Sequence, residues 1–295
     1  MARLLKPFEY LEPKTVEETV KFLSEYGDRA KVLAGGTDLL ISMKKRKVSP
    51  HYIVCIKGIP DLDYIRYSQE GGLRIGALAS HRAIADSPII RDKFELLATA
   101  CGKVGTPQVR NMGTIGGNIC QGGPSQDTIP SLLVLDAGLK LVGPNGERIV
   151  PINGFFIGPF KTALNQAELL TEVQIPTPPP GSAGCYKWLT KVVTIDETLV
   201  GVAVLMSLDS TDGICRDIKI ALCSVAPTPF RAIQAEEVLR GNKVNGTLIE
   251  QAAQIAAEET KPRSRADYRR RMTRLLARDT ITETWQKITR QEKVP

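Results

Sequence analysis

The chain has 295 residues, of which 42% are hydrophobic and 24% charged, and its formal net charge is +7. This composition is typical of a folded globular protein with roughly two domains, and it argues against a disordered chain. No terminal apolar stretch approaches the roughly twenty residues that span a bilayer, and the N-terminus has no signal-peptide pattern. We therefore expect a cytoplasmic protein without a membrane span.

The first predicted elements are a helix, a strand and a second helix. Thr15 and Glu18 form a capping-box pattern, which predicts a helix that ends at Gly27. The apolar residues 31–34 predict a strand, and residues 38–44 have the pattern of a short helix. These elements begin an alternation of strands and helices that continues along the chain.

A glycine pair lies between that strand and that helix, in the sequence Ala34-Gly35-Gly36-Thr37-Asp38. Glycine lets a ligand approach the main chain, and the N–H groups of a turn before a helix attract negative charge. Thr37 or Asp38 could cap the helix that follows. The pattern is neither a Walker A loop nor a Rossmann fingerprint, so a nucleotide triphosphatase is not expected.

A second glycine pair, Gly116-Gly117, lies between a helix predicted at residues 89–103 and another at residues 129–135. Thr114 precedes this pair and Asn118 follows it. A single glycine pair usually marks an ordinary turn. Two pairs in similar settings favour a pair of loops that hold two ends of one phosphorylated ligand.

The C-terminal part has a different pattern. The part that carries the second glycine pair continues with a strand predicted at residues 139–142. After it, the proline-rich residues 176–181 predict a linker, because proline does not fit a central strand or helix. Beyond it, residues 198–208 and 214–225 predict a hairpin. Residues 247–250 predict the capped start of a helix, and a long helix is predicted from about Arg265. This pattern indicates a second domain of the α+β class.

Metal ligands and catalytic side chains are scarce. The six cysteines form no C-x-x-C pair, and there are only two histidines, so neither a metal centre nor a Ser-His-Asp triad is expected. His81 is interpreted as a polar loop residue. The basic residues 44–47 and 263–271 raise the possibility of nucleic-acid binding. Aromatic residues make up only 5% of the chain, so solvated helix faces or a surface for an acidic subunit are the favoured interpretation.

Taken together, the motifs resemble those of the FAD-binding medium subunit of molybdenum-containing hydroxylases, of the xanthine dehydrogenase and aerobic carbon monoxide dehydrogenase type. The matching motifs follow one another through nearly the whole chain: Phe8-Glu9-Tyr10 with Pro13, AGGTDLL at 34–40, IGALAS at 75–80, VRNMGTIGGN at 109–118, DTIP at 127–130, Gly158-Pro159 with Thr162, Glu168-Leu169-Leu170, and Tyr268-Arg269-Arg270.

The resemblance implies an α+β fold. Residues 1–176 would form an FAD-binding domain of the PCMH type with two subdomains, at about residues 1–56 and 57–176. Residues 182–290 would form an α+β C-terminal domain with a small antiparallel sheet and helices. The inserted four-cysteine cluster of some family members is not expected, because Cys120 stands alone in that region.

The resemblance also implies that FAD is the cofactor and lies between the two subdomains, with its diphosphate on both glycine loops. Asp127 would accept hydrogen bonds from ribose hydroxyls, or cap the helix that follows it. Leu169 and Leu170 would pack on the isoalloxazine ring, or be ordinary core leucines. The implied cofactor-binding residues are Leu33, Ala34, Gly35, Gly36, Thr37, Asp38, Leu39, Ala77, Thr106, Thr114, Gly116, Gly117, Asn118, Asp127, Leu169, Leu170 and Lys187.

One position departs from the family pattern. Family members often have a lysine near the flavin in a strand of the form Tyr-x-Lys, whereas this chain has Tyr186-Lys187-Trp188. An ungapped comparison places Trp188 at the lysine position. Because neighbouring residues of a strand face opposite sides, either Lys187 or Trp188 would face the flavin, but not both.

The function implied by the resemblance is electron transfer. The chain would pass electrons through FAD from an iron–sulfur small subunit to an external acceptor, in a complex whose molybdopterin large subunit hydroxylates the substrate. No catalytic residue and no metal ligand is assigned to the chain itself. The alternatives are a free-standing FAD-dependent oxidase or reductase and, less favoured, an FAD-sensing or nucleic-acid-binding module.

Overall fold

The computed structural model describes residues 4–190, 197–209 and 213–291. The N-terminal unit consists of β1 (Glu9–Leu11), α1 (Val16–Tyr26), β2 (Ala30–Leu33), α2 (Leu39–Lys44) and β3 (Tyr52–Cys55). Its strands form a parallel sheet in the order β1-β3-β2. The predicted first helix is confirmed: the Thr15 hydroxyl accepts a hydrogen bond from the Glu18 N–H at 3.1 Å, and Gly27 ends the helix with a φ of 54°.

The second unit combines a large sheet with helices on its face. Its strands and helices are β4 (Ile65–Ser68), β5 (Gly72–Gly76), α3 (His81–Asp86), α4 (Pro88–Lys93), α5 (Glu95–Lys103), α6 (Pro107–Met112), α7 (Ile115–Gln121), α8 (Thr128–Val134), β6 (Gly138–Gly143), β7 (Gly146–Pro151), β8 (Phe156–Gly158), β9 (Lys161–Thr162) and β10 (Leu169–Ile175). Five of the strands form an antiparallel sheet in the order β4-β5-β10-β6-β7, and β8 pairs with β9. In the central strand, Val173 pairs with Ile75 on one side and with Leu139 on the other.

The C-terminal unit is a four-stranded antiparallel sheet with three helices. It contains β11 (Ser182–Thr190), β12 (Thr198–Leu208), β13 (Cys215–Cys223), β14 (Phe230–Arg231), α9 (Ile233–Leu239), α10 (Gly246–Glu258) and α11 (Ala266–Gln291). The strands lie in the order β11-β12-β13-β14. The α+β prediction, with a small antiparallel sheet and helices at the C-terminus, is confirmed.

The C-terminal sheet is buried on both faces. Tyr186, Ala203 and Ala221 belong to the hydrophobic core that also contains Leu97 of α5 and Ile129 of α8. Neighbouring strand residues pack instead into a second core with α9, α10 and α11. Strands buried on both faces have nearly continuous apolar sequences, and β12 is buried along its whole length except at Leu205. The sheet is therefore held tightly against the second unit.

Two secondary-structure predictions need correction. The helix predicted at residues 89–103 is two helices, because Phe94 leaves helical geometry (φ −138°, ψ 43°) and buries its ring completely between them. The capped start predicted at Thr247 lies two residues earlier: α10 is capped by Asn245, whose side-chain oxygen accepts from the Leu248 N–H at 3.0 Å. The turn of the predicted hairpin at residues 209–213 lies partly outside the described residues. Among the helices that the structure describes, none is long and apolar enough to cross a membrane.

Glu236 of α9 provides a test of how the C-terminal unit is held together. Its buried carboxylate accepts hydrogen bonds from the Ile220 N–H at 2.9 Å and from Arg231 at 2.9 and 2.6 Å. Glu236→Ala should lower the free energy of unfolding by about 3–5 kcal/mol, because it leaves the buried Ile220 N–H without this acceptor and leaves the partly buried Arg231 with only its longer ion pair to Asp136, at 3.6 Å. Glu237→Ala, on the exposed side of the same helix, should change it by less than about 0.5 kcal/mol. Urea unfolding measures the free energy of unfolding of both variants. Equal losses in the two variants would contradict the structural role assigned to the Glu236 carboxylate.

Candidate functional site

The two glycine loops touch each other. A Cβ placed on Gly35 would lie 2.1 Å from the carbonyl oxygen of Met112 and 2.9 Å from the Cα of Gly113. A Cβ on Gly117 would lie 3.8 Å from the Cβ of Ala34. The main chain after β2 therefore packs directly on the main chain before α7, across the boundary between the first two units.

The first loop has a run of unbonded main-chain donors. Within the described part of the chain, the N–H groups from Ala34 to Leu39 have no hydrogen-bond acceptor, and the next N–H, of Leu40, donates to Gly36 at 3.2 Å. Gly36 has a φ of 77°, a conformation that favours glycine. The capping predicted for Thr37 or Asp38 is wrong, because no side chain caps α2. A loop of free N–H groups suits an anionic ligand.

The second loop uses its main chain internally. The N–H groups of Ile115 and Gly116 donate to Ala79 and Ala77 at 3.0 and 2.9 Å, and that of Gly117 donates to the Thr114 hydroxyl at 3.1 Å. Gly116 is needed because a Cβ there would lie 2.7 Å from that of Ala77. The N–H groups of Ile115, Gly116 and Gly117 are therefore already bonded, and the donors that the second loop offers are side chains; its contact with the diphosphate remains a prediction.

Two side chains of the second loop remain available. The Thr114 hydroxyl accepts from Gly117, so its own hydrogen is free to be donated. The Asn118 Oδ1 accepts from the Thr128 hydroxyl at 2.5 Å, which leaves its NH₂ group as a donor. Asp38 brings a carboxyl to the first loop. Desolvation by neighbouring protein atoms raises the pKa of Asp38, although part of its side chain stays exposed.

Comparisons with known proteins match most of the chain. Residues 6–178 match the family described as the FAD binding domain in molybdopterin dehydrogenase, and residues 186–284 match the CO dehydrogenase flavoprotein C-terminal domain. The chain belongs to this family of molybdopterin dehydrogenase flavoproteins. The resemblance found in the sequence motifs is thereby confirmed, and so is FAD as the cofactor of the family.

Individual relatives are similar over nearly their full lengths. The carbon monoxide dehydrogenase medium chain of Hydrogenophaga pseudoflava is 36% identical, with 94% of this chain and 97% of that protein covered. A putative xanthine dehydrogenase FAD-binding subunit of Escherichia coli is 32% identical over 86% of this chain and 87% of its own length. In a solved structure of the Hydrogenophaga carbon monoxide dehydrogenase, one chain has a TM-score of 0.92, covering 96% of this chain and 99% of that one.

The geometry of the loops fits FAD. A diphosphate needs several hydrogen-bond donors and close access to the main chain, and the first loop provides free N–H groups beside Gly36. Thr114 and Asn118 add neutral donors from the adjoining loop. The family cofactor thus has a donor set of the right chemistry in this chain.

Several predicted site residues are core residues with side chains turned away from solvent. Leu33 and Leu39 pack in the core of the first unit, and Leu170 lies in the main core of the second. Leu169 is in a small cluster against which Ala34 packs, so it does adjoin the first loop. Ala77 is buried, and its carbonyl oxygen accepts the hydrogen bond from the Gly116 N–H. Thr106 caps α6, where its hydroxyl accepts from Val109 at 3.3 Å, at the end of that helix away from Gly35.

The assignment of Lys187 to the cofactor site is corrected. Its ammonium group pairs with Glu283 of α11 at 2.8 Å, on one face of β11. Trp188 lies on the opposite face, where its ring stacks on Tyr186 with centroids 5.7 Å apart and Lys103 lies over it at 5.7 Å. The strand alternation thus turns Lys187 towards α11, and Trp188 towards the FAD-binding part of the chain.

Asp127 has partners that neither sequence interpretation included. One carboxylate oxygen accepts from the Tyr186 hydroxyl at 2.7 Å and from the Thr198 hydroxyl at 2.6 Å. The predicted capping of α8 by this side chain is wrong, because it makes no cap hydrogen bond. Burial raises the pKa of Asp127, and the two hydroxyl groups oppose that shift. Its proposed contact with ribose remains a prediction.

His81 is a buried residue that sequence reasoning missed. It begins α3 directly after Ser80, whose hydroxyl accepts from Ala83, and its N–H donates to Gly113 of the second loop at 3.0 Å. The Ser80 cap was the available signal that His81 is helical. Its ring is 2% exposed, and its Nδ1 has no partner in the described structure. No cluster of metal ligands occurs among the described residues.

Gly35 provides a test of the contact between the loops. Gly35→Ala should lower both the melting temperature of the FAD-free protein and its affinity for FAD, because a Cβ would collide with the Met112 carbonyl. Gly102→Ala is the matched control, since its Cβ would meet only Ala85 at 3.8 Å inside α5. Thermal unfolding and FAD titration compare the two variants. If Gly35→Ala behaved like Gly102→Ala, the close contact between the loops would be refuted.

The burial of His81 should make the stability of the protein depend on pH. Burial, aided by Arg110, lowers the pKa of His81 to about 4, whereas in the unfolded chain it titrates near about 6.5. The unfolded state therefore binds more protons between these values, and stability present above pH 6.5 is lost as the pH falls towards 4. The limiting slope is about 1.4 kcal/mol per pH unit. Unfolding measured across this range should show a shallower slope for His81→Gln, while exposed His51→Gln keeps the original slope.

Proposed function

We propose that this protein is the FAD-binding electron-transfer subunit of a molybdenum-containing hydroxylase complex. The observation that carries the proposal is the run of unbonded N–H groups from Ala34 to Leu39, in a chain that matches both domain families of such flavoproteins. Electrons would enter from an iron–sulfur small subunit and leave to an external acceptor. The molybdopterin large subunit would carry the organic substrate.

In this proposal, bound FAD supplies the redox chemistry, and the chain supplies binding and orientation. The N–H groups of the first loop would donate to the diphosphate. Thr114 and Asn118 would donate from the second loop, which is kept rigid by its bonds to Ala77 and Ala79. Leu169, beside Ala34, would contribute an apolar surface near the same place.

The proposed domain boundary lies in residues 177–181. The first family match ends at residue 178 and the second begins at residue 186, and no helix or strand occupies residues 176–181. The proposed location is the cytoplasm, where unpaired cysteines stay reduced. Cys55, Cys101, Cys120, Cys185, Cys215 and Cys223 are all free thiols, which suits that compartment.

The names of the relatives support a multisubunit assembly. They are medium chains or FAD-binding subunits of dehydrogenases, and they include a glyceraldehyde dehydrogenase medium chain of Sulfolobus acidocaldarius that is 34% identical. Their substrates differ although their flavoprotein chains are similar. The organic substrate of this complex is therefore assigned to the partner subunit.

Affinity purification from the native host tests this function. The tagged protein should release FAD on denaturation, identified by chromatography, and should bring with it an iron–sulfur protein and a larger molybdenum protein. Reduction of its flavin by substrate should require both partners, because the chain itself is assigned only binding and electron transfer. Removal of either partner from the reconstituted complex is the control.

Two results would overturn the proposal. Release of FMN or NAD in place of FAD would refute the assignment of the loops. Turnover of a small molecule by the isolated flavoprotein would identify it as a free-standing oxidase or reductase.

A further inference from the structure

A short segment that follows α7 and includes the first residue of α8, residues 124–128, forms a bridge that we call the bridging segment. On one side it bonds to the C-terminal unit. The Ser224 N–H donates to the Pro124 carbonyl at 2.7 Å, and the Ser125 hydroxyl donates to the Glu197 carboxylate. Asp127 accepts from the hydroxyls of Tyr186 and Thr198, on β11 and β12.

On its other side the bridging segment bonds to the helix of the second glycine loop. The Gln126 amide donates to the main-chain oxygen of Asn118 at 2.5 Å and to the Gln121 side chain at 2.7 Å. The Thr128 hydroxyl donates to the Asn118 Oδ1 at 2.5 Å. Successive residues of one segment therefore hold α7 and the C-terminal sheet at the same time.

The C-terminal side of this bridge is itself firmly held. Ser224 has a φ of 69°, an unfavourable conformation for a residue other than glycine. Arg269 of α11 donates to the carbonyl of Ser224 and, at 2.7 Å, to that of Leu199. One partner of the bridging segment, Ser224, is thus held directly by α11, which also holds Leu199 next to Thr198.

The Asp127 carboxylate is the polar centre of the bridge. It is 9% exposed, and the two hydroxyl groups that reach it come from residues 59 and 71 positions away in the chain. A buried carboxylate loses much of its solvation, so each hydrogen bond to it matters more than one at the surface. Removal of either hydroxyl should weaken the attachment of the bridging segment to the C-terminal sheet.

We propose that Asp127 is a positioning residue, through which the C-terminal sheet holds Asn118 and the second glycine loop in the arrangement that binds FAD. The proposal rests on the FAD-binding function and adds to it that cofactor affinity depends on hydroxyl groups of the C-terminal unit. A looser bridge lowers the fraction of chains with a competent loop, and the apparent affinity falls by that fraction.

The test compares Tyr186→Phe and Thr198→Val with Thr198→Ser, which keeps the hydroxyl. FAD affinity is measured by flavin fluorescence, and hydrogen exchange of residues 115–121 is measured by mass spectrometry in the FAD-free protein. Each hydroxyl deletion should weaken FAD binding about tenfold, the effect of a lost hydrogen bond to a charged group, and speed exchange in α7. Thr198→Ser should restore both values.

Ile281→Ala is the control for a general loss of stability. Its side chain is fully buried in the core between the C-terminal sheet and its helices, away from the bridging segment. It should lower the melting temperature without altering exchange in residues 115–121 or FAD affinity. If it altered them as Thr198→Val does, the bridge would have no specific role and the proposal would fail.

Asp127→Asn separates positioning from direct contact with the cofactor. The amide oxygen still accepts from both hydroxyls, so positioning predicts a smaller loss of affinity than Thr198→Val causes. A large loss in Asp127→Asn, with normal affinity and normal α7 exchange in both hydroxyl deletions, would overturn the proposal and support a ribose contact. Failure of the unaltered protein to bind FAD would refute the proposed function, while the exchange measurement would still test the bridge.

Discussion

The arrangement of the site depends on one steric constraint, the contact between the main chains of the two glycine loops. Gly35 lies so close to Met112 that no side chain fits between them, and a Cβ on Gly116 would lie only 2.7 Å from that of Ala77. The contact of Gly35 with Met112 joins the parallel sheet of the first unit to the helices of the second, and the contact of Gly116 with Ala77 holds α7 on the second unit's own sheet. Because the loops adjoin each other, the free N–H groups of one stand beside the hydroxyl and amide donors of the other.

The two loops differ in what they offer a ligand. The first has a long run of free main-chain donors and no capping side chain on α2. The second has bonded its N–H groups to Ala77, Ala79 and Thr114, and its rigidity comes from those bonds. The free N–H groups of the first loop thus lie against a second loop whose own main chain is already bonded, which gives an anion close access to the main chain.

The C-terminal unit is more than an appended domain. Its sheet shares a hydrophobic core with α5 and α8, and its hydroxyl groups reach Asp127 beside the second loop. Burial of apolar surface holds the units together, and the hydrogen bonds to Asp127 fix their relative position. This arrangement connects α11, at the far end of the sequence, to the loop that carries Asn118.

The sequence by itself determined the capped first helix, the two glycine loops, the strands at 198–208 and 214–225 and the family, because caps, turns and periodicity depend on residues close together in the chain. It did not determine the partners of Asp127, Lys187 or His81. Asp127 was interpreted as a cap or a ribose ligand, yet it binds Tyr186 and Thr198, and Lys187 binds Glu283. Such pairings arise only when strands and helices distant in the chain pack together, so the tertiary structure alone decided which side chains meet.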